Sequence, residues 1–234
     1  MLTISVAGIT VGIVNKYKHI ERISRSYLTD REPEFTVEAT EAEMAKERAQ
    51  CELELHDGYI ESTVIHRKIA NKLWRYDAFL FHGATLELDG RAYAFTAPSG
   101  TGKTTHTRLW LERFGARVRY VNGDKPIVRF IDGVPYAFGT PWLGKEGYGE
   151  NTSSPLAGIA CLKRGEANEA RRLSFDEASN ILLSQIYIPR EPTAALRTLA
   201  LVNRLSEGVL LIELKCNMDI EAAEVAARAL GAEL

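Results

Sequence analysis

The chain predicts an α/β fold: a mixed sheet with flanking helices, built around a phosphate-binding loop. Three observations point there. An apolar strand, Arg91 to Thr96, feeds a glycine loop at 97–105, and a helical run from Thr104 to Phe114 follows. Two Asp-Gly pairs, at Asp89-Gly90 and Asp132-Gly133, join short apolar runs in the manner of β-hairpins. Two capping-box spacings, Thr40 to Glu43 and Ser174 to Glu177, announce helices.

Taken in order, Leu2 to Val14 reads as two strands turning at Gly8. A polar, basic run without a clean period extends to Arg31. Glu34 to Glu38 is a strand, and a short exposed helix starts after Thr40. Tyr59 to Tyr76 is the first strong helix, because Ile65, Ile69, Leu73 and Tyr76 recur at helical spacing on one face. Strands at Ala78 to His82 and Ala84 to Leu88 precede the strand that enters the loop. Arg117 to Val121 is a further strand, followed by Asn122-Gly123-Asp124-Lys125, and the pair Ile127–Phe130 and Val134–Phe138 forms the second hairpin. The segment Gly139 to Ser154 is glycine-rich and long for a connection, which favours a functional or mobile loop. Leu156 to Lys163 reads as a buried strand turning at Gly165 into a partner near Ala170 to Leu173. A helix to about Ile186, another over Pro192 to Leu205, a strand over Val209 to Lys215, and a last helix capped by Asp219 and closed by Gly231 complete the chain.

With 234 residues and no repeat, low-complexity linker or charge block, the chain reads as a single domain over 1–234, its first 55 residues forming a small N-terminal layer. Hydrophobic residues at 45% suffice for a core, and a net charge of −2 argues against a nucleic-acid partner. The apolar start, Met1 to Val14, carries Thr3, Ser5 and Thr10 and is too short to span a membrane, so no membrane partner is expected. Cys51, Cys161 and Cys216 show no metal-ligand spacing, which favours reduced thiols and a cytoplasmic protein.

The chemistry centres on the loop. Glycines let backbone N–H groups turn inward round an anion, and the following helix N-terminus adds donors and positive potential. Ser99, Gly100, Thr101, Gly102, Lys103, Thr104 and Thr105 are thus the expected nucleotide-binding set. Lys103 would reach the outer phosphates, and the Thr104 hydroxyl would hold Mg²⁺. The usual motif opens with glycine where this chain has Ala97.

Asp124 stands just past a strand end, where a carboxylate serves Mg²⁺ or an attacking hydroxyl; equally, Asn-Gly-Asp is turn chemistry by itself. His82 at another strand end is a phosphoryl contact or proton acceptor on one reading and structural on the other. In the run Gly139-Thr140-Pro141-Trp142-Leu143-Gly144-Lys145-Glu146, Lys145 offers a mobile cation and Glu146 or Glu150 a metal-binding carboxylate, while Trp142 reads as a packing anchor.

Phe81-His82-Gly83, the Ser99–Thr104 loop, Asn122-Gly123-Asp124-Lys125-Pro126 and the Gly-Thr-Pro-Trp-Leu-Gly-Lys-Glu run from Gly139 coincide in one chain. Together they resemble the kinases related to HPr kinase/phosphorylase and ATP-dependent phosphoenolpyruvate carboxykinase. The similarity is greatest to short, single-domain HPr-kinase-like proteins, some of which phosphorylate serine in peptides, including lasso-peptide precursors. It covers Tyr59 to the C-terminus.

The resemblance implies an HPr-kinase C-terminal-domain or carboxykinase-like fold and transfer of a phosphoryl group from ATP to a hydroxyl, serine in particular, of a peptide, protein or small molecule. It implies Mg²⁺ on Thr104 and Asp124, with His82 beside the phosphates. The related enzymes carry two adjacent aspartates after the strand, and here the first is Gly123. A nucleotide-binding regulatory protein without turnover and a carboxykinase-like lyase are the competing functions, and a homo-oligomer is compatible with all three.

Overall fold

The structure, a computed structural model, describes residues 1–51, 54–98 and 100–233. At the N-terminus, β1 (Leu2–Val6) and β2 (Ile9–Val14) form an antiparallel hairpin. Ala7 and Gly8 both hold positive φ in its turn. The basic run contains a short helix, α1 (Lys18–Ile23), and β3 (Phe35–Glu38) pairs parallel to β2.

Next comes α2 (Glu41–Arg48), which opens on the expected capping box. Thr40 accepts from the Glu43 amide, and Glu43 reaches back to the Thr40 amide. The expected helix over 59–76 divides: α3 (Asp57–Ala70) is followed by a separate tight turn, Leu73–Tyr76. The tightening keeps Leu73 in one buried cluster with Ile65 and Ile69, and Asp77, at φ 52°, reverses the chain into the main sheet.

The same cluster contains Ile4, Val11 and Ile13 from the first hairpin and Ala78, Leu80 and Ile127 from the main sheet. The N-terminal layer therefore shares its core with the main sheet.

That sheet has nine strands. They are β4 (Ala78–Leu80), β5 (Ala84–Leu88), β6 (Arg91–Thr96), β7 (Val118–Asn122), β8 (Ile127–Ile131), β9 (Val134–Phe138), β10 (Ser153–Arg164), β11 (Glu169–Arg172) and β12 (Leu210–Cys216). Both Asp-Gly hairpins form, with Asp89, Gly90, Asp132 and Gly133 all at positive φ.

The long strand β10 joins the two halves of the sheet. Ser153–Pro155 pairs antiparallel to β9, while the rest lies between β6 and β12, parallel to both. The order is β4-β8-β9-β10-β6-β5-β7, with β12 and then β11 beyond β10.

Helices cover both faces of this parallel centre. Tyr93 and Phe95 of β6 face α4 (Lys103–Phe114) and α7 (Glu221–Ala229) in one cluster, with Trp110 fully buried. Ala92 and Ala94 alternate to the other face and meet the cluster of α5 (Phe175–Gln185) and α6 (Pro192–Gly208).

Two details correct the expectations. The strand after Gly165 does not pair with β10; β11 pairs antiparallel with β12, which takes the place beside β10. Ile220, not Asp219, is the N-cap of α7, and no side chain caps it: the Asp219 carbonyl accepts from the Ala222 amide and its side chain is turned to Asn217. Cys51, Cys161 and Cys216 are free thiols. Among the described residues, no helix is long and apolar enough to cross a membrane.

Candidate phosphate-binding site

The C-terminal end of β6 delivers the chain into the loop. Ala97 is buried, its methyl packed in the cluster that holds Trp110, so alanine in place of the motif's first glycine does not intrude on the loop. Thr101 turns back on Pro98, its amide and hydroxyl both donating to the Pro98 carbonyl. Gly100 and Gly102 take φ of 77° and 122°, conformations that disfavour any side chain.

Gly102 is the N-cap of α4 and offers no side-chain acceptor, so no side chain caps the first-turn amides there. Uncapped amides of this kind are the donors that anions use at a helix N-terminus. Thr104 and Thr105 lie in that first turn. Ser99 lies outside the described residues.

Lys103 folds back over the loop, its Nζ donating to the Ala97 carbonyl at 2.9 Å. Burial lowers its amine from the ordinary lysine value, and the charge of Asp124 opposes that shift. Lys103 and Asp124 are thus within each other's field although 21 residues separate them in sequence.

Asp124 is the point where three segments meet. Its Oδ1 lies 3.3 Å from His82 Nε2, and its Oδ2 accepts from Lys125 Nζ at 2.9 Å. Burial alone would raise the carboxyl, yet the His82 and Lys125 contacts hold it well below the usual carboxylate range. The Gly83 amide donates to the Asp124 carbonyl and the Phe81 amide to that of Pro126, which fixes the His82 segment alongside.

Sequence reasoning passed over the residue that builds this corner. Asn122 is fully buried at the end of β7. Its Oδ1 accepts from the amides of Asp124 (2.8 Å) and Lys125 (2.6 Å). Its Nδ2 donates to Thr140 Oγ1 (3.0 Å) and to the Thr140 carbonyl (3.2 Å). One side chain therefore shapes the Asp124 turn and anchors the 139–152 segment. The signal was the Asn-Gly-Asp triplet, where an asparagine can bond its own backbone two residues on.

The 139–152 segment is stitched along β7 by more than Asn122. The Gly123 amide donates to the Tyr148 carbonyl, the Glu150 amide to Val121, and Tyr148 stacks on Tyr120 at 4.8 Å. Trp142 is a packing anchor, stacked 4.3 Å from His66 with its indole N–H donating to Ser62. Gly144 allows close packing, since a Cβ there would lie 2.8 Å from the Asp124 Cβ. Lys145 follows it in an exposed turn, and Glu146 pairs with Arg108 of α4.

Arg164 also escaped notice. It reaches from the end of β10 to donate to the Gly100 carbonyl at 2.7 Å, bracing the loop from outside. His106, under the loop, is buried and accepts from Trp110 Nε1; burial pulls its ring down to about 4.

The structure brings His82 and Lys125 onto Asp124, whose charge also acts on Lys103, and sets Lys145 one residue beyond the glycine that packs on Asp124. Among the described residues no group of three or more His, Cys, Asp or Glu side chains is gathered to hold a metal ion. A hydroxyl and a carboxylate, as at Thr104 and Asp124, suit a magnesium ion that takes its remaining oxygens from phosphates and water.

No family model matches the chain, and no curated protein matches it. Among solved structures it is similar to the Hpr(Ser) kinase/phosphatase from Coxiella burnetii, with a TM-score of 0.31 and 13% identity over 55% of this chain and 97% of that one. A likeness that remote leaves the activity to be reasoned from the residues themselves.

Proposed function

We propose that this chain is an ATP- and Mg²⁺-dependent kinase that transfers the γ-phosphoryl group to a hydroxyl, serine in particular, of a peptide, protein or small molecule. The observation that carries the reading is Asp124, held ionised beside His82 and Lys125, with its charge acting on Lys103 of the loop. Phosphoryl transfer asks mainly for positioning and charge neutralisation, the two tasks this reading gives to the loop and to Asp124. Lys103 and the α4 amides hold the phosphate oxygens, displacing the internal bond to Ala97.

Mg²⁺ held by Thr104 and Asp124 supplies charge neutralisation at the transferring group. Asp124, held ionised, is a weak base and acts through its charge. His82 stands next to it and takes the hydroxyl proton late in transfer. Lys145 swings in from the turn at 144–147 to the transferring group.

A second reading, nucleotide binding without turnover, draws on Gly123. A Cβ there would meet the Tyr148 carbonyl at 3.0 Å and the Leu143 carbonyl at 3.4 Å, so a side chain in the place of the related enzymes' first aspartate would have to push this segment aside by a few tenths of an ångström. Release of ADP in the presence of serine-containing peptides separates the two. Acceptor-dependent release supports the kinase, and binding of nucleotide with no release under any acceptor supports the regulator.

A further inference from the structure

The N-terminal layer contains a cavity of about 840 Å³, outside the phosphate-binding loop. Its walls are α1 with the turn after it, and the start of α3. Lys18, Arg22, Arg25 and Leu28 line one side, and His19 and His56 meet edge to face at 5.0 Å on the other. Gly58 lets the two walls approach, since a Cβ there would lie 2.8 Å from the His19 Cβ.

The charges in this groove do not balance. Glu21 accepts only from the neutral Asn15 amide and keeps its charge, while Asp57 is occupied by Arg48 and the Tyr17 hydroxyl. Among the described residues, Lys18, Arg22 and Arg25 have no carboxylate partner; Arg22 contacts only the His19 ring. Three exposed cations against the one unpaired carboxylate of Glu21, beside an exposed Leu28, leave an excess of positive charge that calls for an anionic ligand with apolar side chains. A polyanionic nucleic-acid backbone fits less well, because Glu21 and Asp57 interrupt the positive surface.

The groove is also joined to the loop beside Asp124. The Ser26 carbonyl accepts from Asn151 Nδ2 at 2.6 Å, and the Tyr27 hydroxyl donates to the Glu150 carbonyl at 3.1 Å. Glu150 in turn bonds Val121, next to Asn122. A chain seated between Arg25 and Leu28 therefore lies against the root of the segment that carries Lys145.

We propose that this groove docks an acidic, leucine-containing segment of a polypeptide, and that this polypeptide is the phosphoryl acceptor. The second half rests on the kinase reading above; the docking itself does not.

The test uses a short fluorescein-labelled peptide alternating glutamate pairs with leucine, followed by fluorescence anisotropy without nucleotide. Wild type should bind it saturably and more weakly as salt rises. Lys18→Glu/Arg22→Glu/Arg25→Glu should bind it at least tenfold more weakly, with Mg-ADP affinity and melting temperature unchanged. Arg22→Ala/Arg25→Ala, a milder change, should lie between. Equal peptide affinity in wild type and the reversed variant overturns the proposal, as does a single-stranded RNA probe binding tighter than the peptide. Failure of peptide binding leaves nucleotide binding untouched, and a chain without kinase turnover would still bind the peptide, so the two ideas fail separately.

Discussion

Removing the Asn122 side chain should loosen the fold and the site together. Asn122→Ala deletes five hydrogen bonds: two to Thr140, one each to the amides of Asp124 and Lys125, and a fifth to the Trp142 carbonyl that at 3.4 Å is long and adds little. At about 1 kcal/mol net for each buried bond, the loss is about 4 kcal/mol. For a domain of this size that corresponds to a fall in Tm of about 12 °C.

The effect on turnover should exceed the effect on nucleotide affinity. Lys103 and the loop are untouched, whereas the Asp124 turn loses the acceptor that shapes it, and small displacements of such a group cost about 10²-fold in rate. Urea unfolding with ADP release below the transition measures both. A destabilisation under about 1 kcal/mol, with normal turnover, would refute the assignment of Asn122 as the organiser of this corner.

Other outcomes follow from the same geometry. Asp124→Asn should keep Tm within a few degrees and lower turnover by about 10²-fold, the size of one lost electrostatic stabiliser; an unfolded variant or normal specific activity contradicts this. Lys145→Ala should lower turnover more than nucleotide affinity, because its contact forms late, and hydrogen exchange at 144–147 should slow with Mg-nucleotide and acceptor. Equal protection with and without ligand would make this turn a fixed part of the loop. His106 is held neutral down to about 4, whereas unfolded it titrates near 6.5. Between those values the unfolded chain binds more protons, so His106's contribution to stability is whole above pH 6.5 and falls as pH drops. By pH 5 the loss is about 2 kcal/mol, and His106→Gln should shrink the difference in unfolding free energy between pH 7.5 and 5 by that amount.

Local chemistry was legible wherever a few neighbouring residues decide the backbone. The Asp-Gly hairpins, the two capping boxes and the strand–loop–helix at 91–114 all formed as their residues dictate. Choices made by distant partners were not legible. The strand 169–172 has no residue that says whether β10 or β12 will accept it, and the parallel β12 wins the place beside β10. The break between α3 and the Leu73–Tyr76 turn is invisible in a periodicity that runs through both, because packing against the N-terminal hairpin decides it.

The site shows the same division. Lys103, Asp124 and His82 were singled out from short motifs; the structure sets His82 beside Asp124, and the charge of Asp124 acts on Lys103. Asn122 and Arg164 were missed because their roles are bonds to backbone far along the chain, at Thr140 and Gly100. Gly123 stood out in the sequence as the absence of a carboxylate beside Asp124; in the fold it also lets the segment at Leu143 and Tyr148 pack closely, a Cβ there lying 3.0 Å from the Tyr148 carbonyl.

The central claim is that the loop ending in Lys103 grips the phosphates of a magnesium nucleotide. Calorimetric titration of wild type and Lys103→Ala with Mg-ADP tests it most directly. A charge-assisted contact of about 1.5–3 kcal/mol should be lost, weakening binding by roughly ten- to hundredfold while the fold is retained. Equal affinity in the two proteins, or no binding by wild type, would contradict the account.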